Sequence, residues 1–363
     1  MSIDRAASET SLRAAHESAR ASFAVAANAE GELTRNLRIG GRLVRLQVAG
    51  ETLDKRIAPA FAHLETGIDT RDAPALTVFV WASAASGAPW PVAVPDAPHD
   101  DPEGTRLQSD DGTRRVCCWP HRRVVAAHDA TTGEAWWWIA DGRDAPWWEA
   151  AAPLRIVLHW WAIAEGCRLV HGGAVGFPEA GALIVGRGGA GKSTFSLACL
   201  RSRMRYAGDD YVWLEPGAPP IAHSLYATAK VVPSGAWRVP HVCVRPTTGA
   251  PDEKLVVDVH AQFPDRIATT LPLRVVLLPS ISGGRARLSP ALPGEAFRAL
   301  ATSTVLQVPD TATPGTLALL ARLLEGSDVY RLELGDDLEA AVALVEELLA
   351  GLRGTVRRRG RPA

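Results

Sequence analysis

Residues 186–193 read GRGGAGKS, a glycine-lined turn that ends in a lysine and a hydroxyl. A polyphosphate needs several backbone N–H groups converging on it, and glycine alone lets a chain curl that tightly with no side chain in the way. The run matches the pattern G-x-x-x-x-G-K-S/T at every fixed position. Its flanks suit the same chemistry, because 182–185 is a short apolar strand and 193–200 carries apolar residues at helical spacing. Gly186, Gly188, Gly189, Ala190 and Gly191 are the expected cradle, and Lys192 is expected to reach the β and γ phosphates. Ser193 is the expected ligand of Mg²⁺, and Thr194 a contact to the α phosphate. The cofactors so implied are ATP and Mg²⁺. Lysine otherwise occurs only at positions 55, 230 and 254, so a chance match is rarer than about one in a hundred.

A phosphate cradle does not by itself distinguish a motor from a switch or a transferase. The second acidic element does, and Asp209 follows Lys192 by only 17 residues, with Asp210 beside it. One carboxylate so placed can hold Mg²⁺ while its neighbour takes a proton from an attacking hydroxyl. Without the loop, the pair would read as an ordinary Asp-Asp turn. His171 lies on an apolar strand 21 residues before Lys192, and the two glycines after it point to close backbone approach. Alone, it would read as a core histidine. Lys230 and Lys254 are candidates to touch phosphates or the transferring group, against the plain alternative of surface charge.

In this order and at these intervals, LVHGGAVG (169–176), GRGGAGKST (186–194) and YAGDDYVWL (206–214) resemble the HPr kinase/phosphorylase family, P-loop serine kinases that modify a phosphocarrier protein. The resemblance implies that Asp209 is the general base, that Asp210 shares Mg²⁺ with Ser193, and that His171 stands on the γ-phosphate side near Lys192. It also implies an α/β fold: a P-loop kinase core of the HPr kinase type, preceded by a smaller α+β, mainly antiparallel N-terminal domain. The segment HSLYATAK (223–230) departs from the Glu-Arg-Gly signature of the bifunctional enzymes, so the phosphorylase reaction and HPr itself are not implied. That segment and the long N-terminal region are more similar to an HPr-kinase-related group associated with bacterial peptide biosynthesis, which includes kinases of lasso-peptide precursors. The partner implied is a peptide or small protein with a Ser or Thr acceptor. A small-metabolite hydroxyl kinase, and a nucleotide-dependent switch protein with no acceptor, are the alternatives. Hexamers are common in the family, which leaves a homo-oligomer open.

These residues need elements to hold them, and the chain divides accordingly. Residues 1–32, rich in Ala, Ser and Glu with weak apolar periodicity, are expected to form a flexible arm or frayed helix. Residues 33–150 read as an N-terminal α+β domain, a candidate for substrate recognition. Within it come a hairpin around Gly40 and Gly41, a helix at 52–64, and antiparallel strands at 76–81, 115–119, 122–128 and 134–139. A Pro- and Asp-rich loop spans 89–102. Residues 151–352 form the expected kinase domain, and 353–363 a basic flexible tail. Trp136, Trp137, Trp138, Trp147, Trp148, Trp160 and Trp161 fall within 26 residues. They read as the seam packing the sheet on a helix at 154–164, or as a stacking platform for a peptide or base; adjacent rings on a strand must point one inward, which favours the seam.

At 363 residues, 47% hydrophobic, 22% charged and with a formal net charge of −1, the chain has room for two cored domains and no global bias toward nucleic acid or anionic membrane. With no apolar run of about 18 residues and no signal-like N-terminus, a cytoplasmic protein without membrane or nucleic-acid partners is expected. Five cysteines with no CxxC pair indicate neither a disulfide framework nor a zinc site.

Overall fold

The computed structural model describes residues 5–67, 72–92, 107–246, 253–307 and 314–359, and the chain divides into two units, Met1–Pro59 with Leu64–Ala164 and Ala60–His63 with Glu165–Ala363. In the first unit a long helix, α1 (Arg5–Glu30), leads into strands β1 (Glu32–Ile39) and β2 (Arg42–Ala49). Gly40 and Gly41 join them at φ 55° and 79°, the left-handed pair that a two-residue hairpin turn needs. A short helix, α2 (Glu51–Ile57), carries the chain on toward β3 (Leu76–Ala82). Then β4 (Leu107–Asp110), β5 (Arg114–Trp119), β6 (Val124–Asp129) and β7 (Glu134–Ile139) complete a sheet of order β1-β2-β3-β7-β6-β5-β4, followed by α3 (Arg155–Ala164). Because the connection through α2 is a crossover, β3 lies parallel to β2, and β7 lies parallel to β3. Those two pairings depart from the antiparallel reading; the other four keep to it.

Of the two readings of the N-terminal residues, the structure has the helix, α1 from Arg5 onward, packed where a flexible arm was the alternative. Leu12, His16, Ala19, Phe23 and Ala26, spaced alternately by four and three residues, are all buried. Alanines blur such a stripe in a sequence, yet they pack closely on a sheet. Phe23 meets Trp81 at a centroid distance of 5.9 Å, and Trp136 and Trp138 belong to the same cluster. The indoles are satisfied as burial requires: Trp81 Nε1 donates to Ser22 Oγ at 2.8 Å, and Trp138 Nε1 to Ser83 Oγ at 2.8 Å. Trp136 Nε1 donates to His16 Nδ1 at 3.3 Å, which suits an imidazole that burial pushes down to about 4. Trp137, on the opposite face by strand alternation, shares a small cavity with Ile156 of α3. The rings therefore serve both faces of the sheet, and the helix after them takes only part of the seam. Trp136, Trp137, Trp138, Trp160 and Trp161 are buried, which removes them as a stacking platform.

The second unit begins with β8 (Arg168–Val170), β9 (Gly173–Phe177), β10 (Ala180–Ile184), α4 (Lys192–Ala198), β11 (Arg205–Gly208), β12 (Val212–Glu215) and β13 (Ile221–His223). It continues with β14 (Thr228–Val231), β15 (Leu255–Asp258), α5 (Val259–Gln262), β16 (Thr270–Ser280), β17 (Arg287–Pro290), α6 (Pro293–Gln307), α7 (Pro314–Glu325), β18 (Asp328–Glu333) and α8 (Leu338–Arg359). The long strand β16 is its spine, pairing in parallel with β10 on one side and β18 on the other, while its first residues pair with β13. β10 is apolar at nearly every position because both its faces are covered. Ala182 and Ile184 join Phe195 of α4 and Val345 of α8 in one cluster; Leu183 and Val185 join Leu300 of α6 and Leu320 of α7 in another. This mixed α/β arrangement sets a short strand, a loop and a helix end beside two further strand bends.

Three boundaries differ from the sequence reading. The first unit runs through α3 to Ala164, past 150, because α3 packs on β6 and β7. Residues 353–359 continue α8 as helix where a flexible tail was expected; residues 360–363 lie outside the described residues, as do 1–4 of the arm and most of the 89–102 loop. Ala60–His63 belongs with the second unit.

Candidate active site

The stretch 168–177, read as one strand, is two, bent at His171 and Gly172. The chain bends again at Asp209 and Asp210, between β11 and β12. β8 pairs with β12 and β9 with β11, so the two bends face each other, and Gly172 N donates to the Asp210 carbonyl at 3.1 Å. Asp210 takes φ 68°, a left-handed conformation that Asp tolerates better than most residues. Next to β9, β10 delivers the chain into the glycine loop. Gly191 ends that loop at φ 98°, a left-handed backbone that calls for glycine. Gly189 is left-handed too, at φ 78°.

Lys192 opens α4 with its side chain largely buried, and its Nζ donates to the Gly186 carbonyl at 2.8 Å and the Arg187 carbonyl at 3.2 Å. The ammonium thus curls over the loop that it ends. Burial lowers its pKa, the Asp209 and Asp210 carboxylates oppose that, and Lys254 adds to the depression. Lys254, exposed at the approach to β15, is in this way within electrostatic range of the loop.

The adjacent carboxylates differ sharply. Asp209 is 1% exposed, and its carboxyl faces the Ser193 hydroxyl, Lys192 and the Asp210 backbone. Burial raises its pKa, the Asp210 charge raises it further, and the nearby Ser193 hydroxyl and Lys192 pull the other way without prevailing. At Asp210 burial also raises the pKa, but Lys230 and His171 overcome it and hold the carboxyl well below the usual range. Lys230, on β14, forms an ion pair with Asp210 Oδ2, and His171 Nε2 lies 3.3 Å from Oδ1. His171 is itself held: its ring packs on Tyr211, its N–H donates to Thr304 Oγ1 at 3.3 Å, and its Nδ1 has no partner.

His171, Lys192, Ser193, Asp209, Asp210 and Lys230 therefore meet at one place in the second unit, Lys254 stands at its margin, and Gly188 and Gly189 form the exposed crown of the loop. Gly186 is buried at the base of the crown, Ala190 N donates to the Arg187 carbonyl at 3.3 Å, and Thr194 is half-buried on α4. One contributor escaped the sequence reading, and so did one packing residue that stands outside the machinery of the site. Thr304 is 133 residues from the backbone N–H it accepts, and Ser196 is a buried hydroxyl inside an ordinary helical pattern. Only the glycine after His171 and Gly172 hinted at the second.

Two adjacent carboxylates, one buried and one half-buried, beside a curled lysine and the Ser193 hydroxyl are a donor set that fits a Mg²⁺–nucleotide. Among the described residues no group of three or more His, Cys, Asp or Glu gathers as a metal cage. Mg²⁺ needs none, since it is held by one or two carboxylates together with phosphate oxygens and waters. Among the described residues no helix is long and apolar enough to cross a membrane.

No known family profile and no curated protein matches the chain. Among solved structures it is similar to the Hpr(Ser) kinase/phosphatase from Coxiella burnetii, at 14% identity, with 53% of this chain and 94% of that chain covered and a TM-score of 0.30. A likeness so slight decides neither fold nor chemistry, which leaves the reading of the site to its own geometry.

Proposed function

We propose that this chain is an ATP-dependent phosphotransferase that moves the γ-phosphoryl group to a Ser or Thr hydroxyl of a peptide or small protein. The observation that carries the reading is Asp209: a buried carboxylate facing the Ser193 hydroxyl and Lys192, its pKa raised by burial and by the Asp210 charge, beside a second carboxylate held anionic, both next to the end of a phosphate loop. A base poised above the ordinary carboxylate range accepts a proton more readily near neutral pH. Asp209 takes the proton of the acceptor hydroxyl; that oxygen bonds to phosphorus as the bond to the ADP oxygen breaks, and the electron pair leaves with ADP. Gly186, Gly188, Gly189, Ala190 and Gly191 offer backbone N–H groups to the phosphates, Lys192 turns from the loop carbonyls toward them, and Thr194 faces the α phosphate. Ser193 and Asp210 would hold Mg²⁺, which when bound neutralises charge on the β and γ phosphate oxygens. Lys230 and His171 keep Asp210 charged and oriented.

Asp209→Asn tests this. Transfer from labelled ATP to a Ser-containing peptide pool should fall by roughly 10²-fold or more while ATP binding stays within about twofold. Full transfer by the variant would remove the base. Label appearing only on free hydroxy compounds would point to a metabolite kinase, and ATP consumption indifferent to any acceptor would point to a switch.

A further inference from the structure

We infer that Gly173 is a positioning residue for Asp209, kept bare so that the carboxylate and helix α4 can close on one point. The inference rests on Asp209 being the base. A Cβ at position 173 would lie 2.6 Å from Ser196 Oγ, 3.3 Å from the Gly208 carbonyl oxygen and 3.5 Å from Asp209 Oδ1. Gly173 is not left-handed, so the backbone does not require glycine there; the space does.

Each neighbour has little room to move. The Gly208 carbonyl belongs to the peptide that leads directly into Asp209, and Gly208 is held in register with Ala174. Ser196 sits on α4 at 0% exposure, its hydroxyl without a partner. Buried in close packing, that hydroxyl can turn only into the space its neighbours leave. A methyl at 173 therefore presses on Ser196 and, through Gly208, on the bond that aims Asp209. Positions 173 and 196 share one volume: side-chain bulk at either is admitted only when the other gives way. The site has divided that volume in favour of the hydroxyl, leaving Asp209 undisturbed.

The test uses the full chain with Gly173→Ala, Ser196→Ala and the double variant. In Gly173→Ala, kcat should fall about 10- to 100-fold, as expected when a reacting group is misplaced by a fraction of an ångström to one ångström, with ATP Kd within about twofold. Ser196→Ala should resemble wild type, and the double variant should recover most of the loss. A second readout needs no transfer: in crystal structures of the variants, the Asp209 carboxylate should be displaced in Gly173→Ala and return to its wild-type position in the double variant. Wild-type kcat in Gly173→Ala, ATP binding lost in proportion to kcat, or no recovery in the double variant would overturn the inference. If wild type transfers to no acceptor while the carboxylate is displaced as stated, the proposed function falls and the positioning stands. If the carboxylate is not displaced, the positioning falls whatever the transfer assay reads.

Discussion

Two adjacent aspartates are driven in opposite directions by what faces them, and the proposed division of labour between them rests on that. Asp210 has Lys230 and His171; Asp209 has burial and a like charge beside it. The depressed group contributes stability that is complete above its unfolded pKa, near about 4, and is lost as pH falls through its folded value. The raised group works with the other sign: its ionisation disfavours the fold as pH rises through its folded value. Lys230→Met should leave His171 alone to oppose burial at Asp210 and so raise its pKa. The Tm gap between wild type and the variant should then be widest near neutral pH and narrow as acid titrates Asp210; a gap independent of pH would show that the ion pair does not set this charge. Asp209, Asp210, His171 and Lys192 were legible because their chemistry needs those residue types at short, fixed intervals. Lys230 was legible only through the scarcity of lysine. Thr304 was not, because only the pairing of β8 with β12 and the approach of α6 bring it to His171.

Among the elements, the helix α1 shows where local pattern misleads. Its buried stripe is made largely of alanine and histidine around one phenylalanine, so hydrophobic contrast is weak although the geometry is that of a packed helix. The alanine content that dilutes the periodicity also favours the helix itself. Phe23→Ala should destabilise the first unit by about 3–5 kcal/mol, as emptying a buried aromatic site does, with a change in tryptophan fluorescence because Trp81 loses its neighbour. Val25→Ala, on the exposed side of the same helix at 44% exposure, should change stability by less than about 0.5 kcal/mol. Equal effects would mean that the stripe is not what holds α1. The Gly40-Gly41 hairpin was readable for the opposite reason, since the turn chemistry is local. The parallel pairing of β2 with β3 was not: strand order is decided by which faces a crossover buries, and no run of residues encodes it alone.

On the scale of the whole chain, the two units are not consecutive lengths of sequence. The second recruits Ala60–His63 from more than a hundred residues upstream. Phe61, 1% exposed, packs on Tyr226 at a centroid distance of 5.5 Å, His63 Nε2 meets Ser224 Oγ at 2.7 Å, and Ala227 N donates to the Ala60 carbonyl at 2.9 Å. Ala227 immediately precedes β14, the strand that carries Lys230, and its carbonyl also accepts from Val259 N at 2.9 Å. The four residues therefore brace the start of the strand whose lysine keeps Asp210 charged. A fragment beginning at Glu165 lacks that brace, although it keeps the phosphate loop, both aspartates and His171. It should melt well below the transition of the same unit in the full chain, and Phe61→Ala in the full chain should cost this unit about 3–5 kcal/mol. Both should weaken the acid-side signature of Asp210 along with stability, because β14 loses its anchor before the loop does. A fragment with the full-chain Tm and an unaltered Asp210 titration would show that Lys230 is positioned by its own unit's later residues alone.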